Sequence, residues 1–95
     1  MDQDRFDQQV GDGVGVLTVR YWAGARAAAG VPADELPVPT PATVGALAEV
    51  LVSRQAALGP VLAVASILVN GLTSAPEAAV AAGDLVEVLP PFAGG

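Results

Sequence analysis

The segment Leu85–Gly95, LVEVLPPFAGG, joins two different materials. Its first half alternates as a strand does, with Val86 and Val88 toward one face and Leu85, Glu87 and Leu89 toward the other. Pro90 and Pro91 then end any ladder, because neither carries an N–H, and they bias the chain toward an extended form. Phe92 and Ala93 follow, and Gly94-Gly95 form the thinnest backbone available. The pattern predicts a strand held in a folded body, with residues 90–95 as a flexible arm tipped by the Gly95 carboxylate. Four extended residues beyond Pro91 span at most about 14 Å, at about 3.5 Å each.

The rest of the chain supplies a body for that strand. Val16–Trp22, VLTVRYW, is β-rich and alternating; Leu17, Val19 and Tyr21 share the face expected to meet the core, which leaves Trp22 outward near the strand's end. AGARAAAG reads as a short helix that Gly30 ends, with Arg26 exposed on it. Pro32, Pro37 and Pro39 around ELPVP permit only an edge strand, with Leu36 and Val38 inward. Asp34 and Glu35 read as loop charges. Thr43 is a candidate cap for the main helix, whose stripe Val44, Leu47, Ala48, Leu51, Gln55 and Leu58 is apolar except at Gln55; Gly59-Pro60 is expected to stop it. SILVN reads as a buried strand and Asn70-Gly71 as a tight turn into LTS. Pro76 to Gly83 is expected to be a loop or a short helical turn.

Residues 1–15, rich in Asp, Gln and Gly, read as a disordered leader, which leaves residues 16–95 as the folded domain with its tail. The expected fold class is α+β: a mixed sheet of four or five strands packed on one main helix, with the first and last strands paired at its centre. The chain's 95 residues, 53% apolar, suffice for one such core.

Composition narrows the chemistry. The chain has no His and no Cys, and its four basic residues are all arginines. There is no side-chain base near neutral pH, no thiol, no imidazole or thiolate metal ligand and no side-chain amine for a Schiff base. No metal site is expected. A net charge of −6 repels phosphate backbones, which argues against nucleic acid as a partner; it serves solubility or steering toward a basic surface. GDGVG near residue 11 lacks the Gly-Lys-Ser/Thr of a phosphate loop. The start of the chain has neither the basic residues nor the apolar run of a secretory signal, and no apolar run reaches membrane-spanning length, so a cytoplasmic location and no membrane partner are expected.

What remains to react is the Gly95 carboxylate. A carboxylate resists nucleophiles because it is negative and its oxide is a poor leaving group. Conversion to an acyl-adenylate removes the second obstacle, and attack by a sulfur donor leaves a thiocarboxylate that is ionised and nucleophilic at neutral pH. An exposed aromatic such as Trp22, with Leu89 on the same face and Arg26 nearby, is a natural partner contact beside the root of the arm.

The stretches VRYWAGARAAAG, TVGAL, ILVNG and GDLVEVLPPFAGG, spread over residues 16–95, resemble the MoaD/ThiS sulfur-carrier family, and most of all its branch of molybdopterin synthase small subunits. The resemblance implies a β-grasp, or ubiquitin-like, fold. It implies that Gly95 is adenylated by an activating enzyme resembling ubiquitin's, and that Pro90, Pro91, Phe92, Ala93 and Gly94 insert with it into the large synthase subunit. The thiocarboxylate then supplies sulfur to a pterin precursor of the molybdenum cofactor. ATP and Mg²⁺ are implied on the activating enzyme, no cofactor on this chain, and the catalytic side chains on its partners. The alternatives are a related carrier for thiazole (thiamine) or cysteine biosynthesis, and a ubiquitin-like modifier or interaction module.

Overall fold

The structure is a computed structural model and describes residues 13–91. Its strands are β1 (Val14–Tyr21), β2 (Ala33–Pro39), β3 (Ala42–Thr43), β4 (Ser66–Val69), β5 (Leu72–Thr73), β6 (Ala79–Val80) and β7 (Leu85–Leu89); its helices are α1 (Ala23–Ala29), α2 (Val44–Arg54) and α3 (Leu58–Leu62). Five strands form one sheet in the order β2-β1-β7-β4-β5, and β3 and β6 form a separate pair. β1 and β7 run parallel at the centre, and β7 is also paired antiparallel with β4. This is the mixed β-grasp sheet that the sequence predicts, with β2 at one edge.

Alternation decides the core. Leu17, Val19 and Tyr21 of β1, Leu36 and Val38 of β2, and Val86 and Val88 of β7 are buried, and α2 brings Val44, Leu47 and Leu51 into the same cluster. Each aliphatic side chain so buried contributes roughly 1.5–3 kcal/mol before conformational entropy is subtracted. β2 tolerates Pro37 and Pro39 because it is an edge strand, and a residue with no N–H there offers a neighbouring chain no backbone donor. Thr43 caps α2 as expected, its Oγ1 accepting from the Ala46 N–H at 3.1 Å.

Five expectations need correction. The folded body starts before residue 16: Val14 pairs with Pro39 and Gly15 with Val38. Gly15 is buried, and a Cβ there would lie 2.9 Å from both the Ala82 Cβ and the Thr40 Cγ2, so a glycine read as leader is a close-packing position. Second, α2 stops at Arg54. Gln55 adopts φ −145° and ψ 99°, outside the helix and exposed, which is why the stripe is polar there. Third, Gly59-Pro60 does not end a helix but lies in the first turn of α3, where backbone N–H groups have no intrahelical partner and proline loses none. Fourth, the segment 76–83 contains β6, whose Val80 is buried. Asp34 and Glu35 also belong to β2 rather than to a loop.

The Asn70-Gly71 turn is more than a reversal. Asn70 and Gly71 have φ of 51° and 85°, the left-handed pair that a two-residue hairpin favours. The Asn70 side chain also reaches across to the start of β7: its Oδ1 accepts from the Leu85 N–H at 2.9 Å and its Nδ2 donates to Asp84 Oδ1 at 3.0 Å. Asp84 Oδ2 in turn accepts from the Ala81 N–H at 2.8 Å. Asn70→Gly keeps the turn's φ and deletes both side-chain bonds, so it is expected to cost about 1–2 kcal/mol in urea unfolding.

Candidate functional site

The end of the sheet where β7 leaves the body carries the candidate site. β7 is clasped on both sides, Val88 lying opposite Tyr21 of β1 and Ile67 of β4, and Leu89 opposite Ser66. The Trp22 N–H continues the parallel ladder one residue beyond β1 by donating to the Val88 carbonyl at 3.2 Å. Up to Leu89, then, the backbone is fixed by its neighbours. Pro90 and Pro91 follow, half-buried and exposed respectively. The expected acceptor Gly95, and with it Phe92, Ala93 and Gly94, lies outside the described residues.

Trp22 occupies an extended position between β1 and α1, and its ring is 44% exposed, outward as the alternation predicts. Its Nε1–H donates to Glu87 Oε2 at 3.2 Å. The Arg20 guanidinium lies over the indole, 6.0 Å from the ring centroid, at the outer limit of a cation–π contact. Leu89 is half-buried on the same face as Glu87, on the side of the sheet away from α2. Arg26 is exposed on α1, one turn after Trp22, where its N–H donates to the Trp22 carbonyl. The structure therefore places Trp22, Leu89, Pro90 and Pro91 at the end of the β1–β7 ladder, and Arg26 one helical turn after Trp22 on α1. It adds Arg20 and Glu87, which sequence reasoning passed over. The signal was there in principle, since parallel pairing of the first and last strands puts Arg20 opposite Glu87.

On the inner face, Tyr21 is buried and its hydroxyl donates to Asp34 Oδ2 at 3.1 Å. Burial chiefly, and then the Asp34 hydrogen bond and charge, push the phenol well above its ordinary value, with Arg54 opposing weakly. A folded-state pKa above the unfolded one favours folding below pH ~10, and that contribution is lost as the pH rises from there toward the folded value. Tyr21 is the only tyrosine. Phenolate absorbance is thus expected to stay absent above pH ~10 and to emerge with alkaline unfolding, and Tyr21→Phe should flatten that alkaline limb of stability.

A groove of about 350 Å³ between β2 and α2 is lined by Val38, Pro39, Pro41, Leu47 and Val50 among others, with Glu49 its only ionisable residue. Among the described residues no cluster of three His, Cys, Asp or Glu could hold a metal ion, and no helix is long and apolar enough to cross a membrane.

The profile of the ThiS family matches residues 19–95. Among solved structures, SAMP1 from Haloferax volcanii is 30% identical, with a TM-score of 0.77 over 85% of this chain and 100% of that one. A Pyrococcus furiosus protein described as molybdopterin converting factor subunit 1 is 29% identical, with a TM-score of 0.76 over 82% of this chain and 99% of its own. The complex of subunits 1 and 2 of the Helicobacter pylori molybdopterin-converting factor shares the fold at 18% identity, with a TM-score of 0.57 over 84% of this chain and 99% of that one. No curated protein sequence matches the chain.

Proposed function

Because the chain belongs to the ThiS family of sulfur carriers and ubiquitin-like small modifiers, we propose that it is the sulfur-carrying small subunit of molybdopterin synthase. The observation that carries this reading is the clasp on β7, which holds the chain between β1 and β4 up to Leu89, immediately before Pro90-Pro91. The Gly95 carboxylate attacks the α-phosphorus of ATP on an activating enzyme and expels pyrophosphate. A sulfur nucleophile then displaces AMP, leaving a thiocarboxylate. ATP and Mg²⁺ belong to the activating enzyme, and this chain holds no cofactor of its own. Tethering raises the effective concentration of sulfur at the acceptor while keeping free sulfide out of solution. The acceptor is a pterin precursor in the large subunit's active site, which Pro90 to Gly95 enter while Trp22, Leu89 and Arg26 dock the body. The likeness to the Pyrococcus furiosus protein supports the pathway, and the Helicobacter pylori complex offers a precedent for the large-subunit partner.

A second reading is favoured by the match to SAMP1, a small archaeal modifier protein. There the activated Gly95 is joined to amines of target proteins. A carrier serving thiazole or cysteine biosynthesis shares the tail chemistry and differs in its acceptor. Intact mass spectrometry separates these. After incubation with activating enzyme, ATP and a sulfur source, the chain is expected to gain the mass of one sulfur-for-oxygen exchange and lose it when large subunit and pterin precursor are added. Isopeptide-linked conjugates would favour the modifier, and a sulfur retained in the presence of large subunit and precursor would favour another carrier pathway.

A further inference from the structure

We infer that Glu87 and Arg20 are positioning residues for the Trp22 indole, holding it at the root of the tail as a preformed anchor that the partner meets with an apolar pocket. The inference deepens the docking role proposed above for that face and rests on it.

An indole offers one hydrogen-bond donor on an otherwise apolar ring, and burial at an interface requires an acceptor for that donor. Here the acceptor is supplied from within. Trp22 and Glu87 are 65 residues apart in sequence, and the parallel pairing of β1 with β7 brings them to a 3.2 Å hydrogen bond. The backbone bond from Trp22 to Val88 fixes the base of the side chain, the carboxylate fixes its polar edge, and the Arg20 guanidinium lies over the ring. With its N–H committed to Glu87, the exposed part of the ring has only carbon to offer. Arg20 and Glu87 flank the ring, and on the same face Leu89 of β7 and Leu68 of β4, which lies opposite Glu87, are half-buried. The complementary surface is therefore an apolar pocket rather than a hydrogen-bond acceptor. Side chains ordered before the encounter lose less entropy on binding, which slows dissociation rather than speeding association.

The test measures affinity of the full chain for the large subunit, the partner to which the inference commits, together with fluorescence anisotropy of the free protein, where Trp22 is the only tryptophan. Glu87→Ala is expected to lower the anisotropy and weaken association roughly fivefold, the scale of one lost side-chain hydrogen bond, mainly through faster dissociation. Glu87→Gln, which keeps an acceptor oxygen, is expected to restore both. Trp22→Phe removes the donor, so in that background Glu87→Ala should have little further effect. Unchanged affinity in Glu87→Ala, failure of Glu87→Gln to rescue, or full additivity with Trp22→Phe would overturn the inference. Wild-type affinity in Trp22→Ala would overturn the docking role of the face itself, and is read separately. Thermal unfolding of each variant confirms that the body is folded when binding is measured.

Discussion

Deleting Gly95 is expected to abolish sulfur loading and to leave the domain as stable as before. The expected loss exceeds about a hundredfold, because removing one residue draws the terminal carboxylate back by about 3.5 Å, whereas misplacement of a reacting group by 1 Å already costs about 10²-fold. Stability is expected to be unaffected for an equally simple reason: the buried cluster runs from Leu17 to Val88, and among the described residues none after Val88 belongs to it. The measurement pairs intact mass after the loading reaction with the thermal midpoint of the same preparation. Converting the terminal acid to its amide is the sharper version, since chain length and the glycines are retained and only the nucleophilic oxygen is lost. A deletion or amide variant that still acquires sulfur would remove Gly95 from the chemistry. A variant that loses sulfur and unfolds together would mean that the tail is part of the core.

The place where the β7 ladder ends was legible in the sequence because it rests on strong local rules. Alternation placed Val86 and Val88 inward, two prolines marked the end of the ladder, and Asn70-Gly71 could hardly be anything but a hairpin turn. Pro37 and Pro39 likewise confined β2 to an edge. What escaped notice rests on contacts between distant segments. Gly15 looks like leader by composition, and only the approach of Ala82 and Thr40 shows that a side chain has no room there. β3 and β6 are two residues each, too short for any periodicity to register, and they exist because they meet each other. The bond between Trp22 and Glu87 depends on the register of two strands from opposite ends of the chain. The break between α2 and α3 was misread for a different reason, since Gly-Pro is compatible both with a helix end and with a helix's first turn. Gln55, polar on an apolar stripe, was the local hint.

Leu47→Ala is expected to act on the body as strongly as the Gly95 deletion acts on the tip. Leu47 is 2% exposed on α2 and belongs to the buried cluster that also holds Leu17, Val19, Val86 and Val88 of the central strands. Truncation there removes its transfer energy and leaves a cavity, a combined cost of roughly 2–5 kcal/mol. A domain of this size holds about 5–15 kcal/mol at most, so the substitution consumes a large part of it. At about 4–8 °C per kcal/mol for 60–100 residues, a loss of ~3 kcal/mol lowers the thermal midpoint by about 12–24 °C. Leu72→Ala is the control: at 72% exposure the same truncation should cost within about 0.5 kcal/mol. The functional consequence follows from the clasp on β7. Below its lowered midpoint, Leu47→Ala retains the sheet that presents the tail and should load sulfur at nearly the wild-type rate; above it, loading should stop with unfolding. If loading instead fails well below the midpoint, while calorimetry still shows a folded body, then α2 acts on the reaction by more than holding the sheet together, and the division of labour between a rigid body and a reactive tip is wrong.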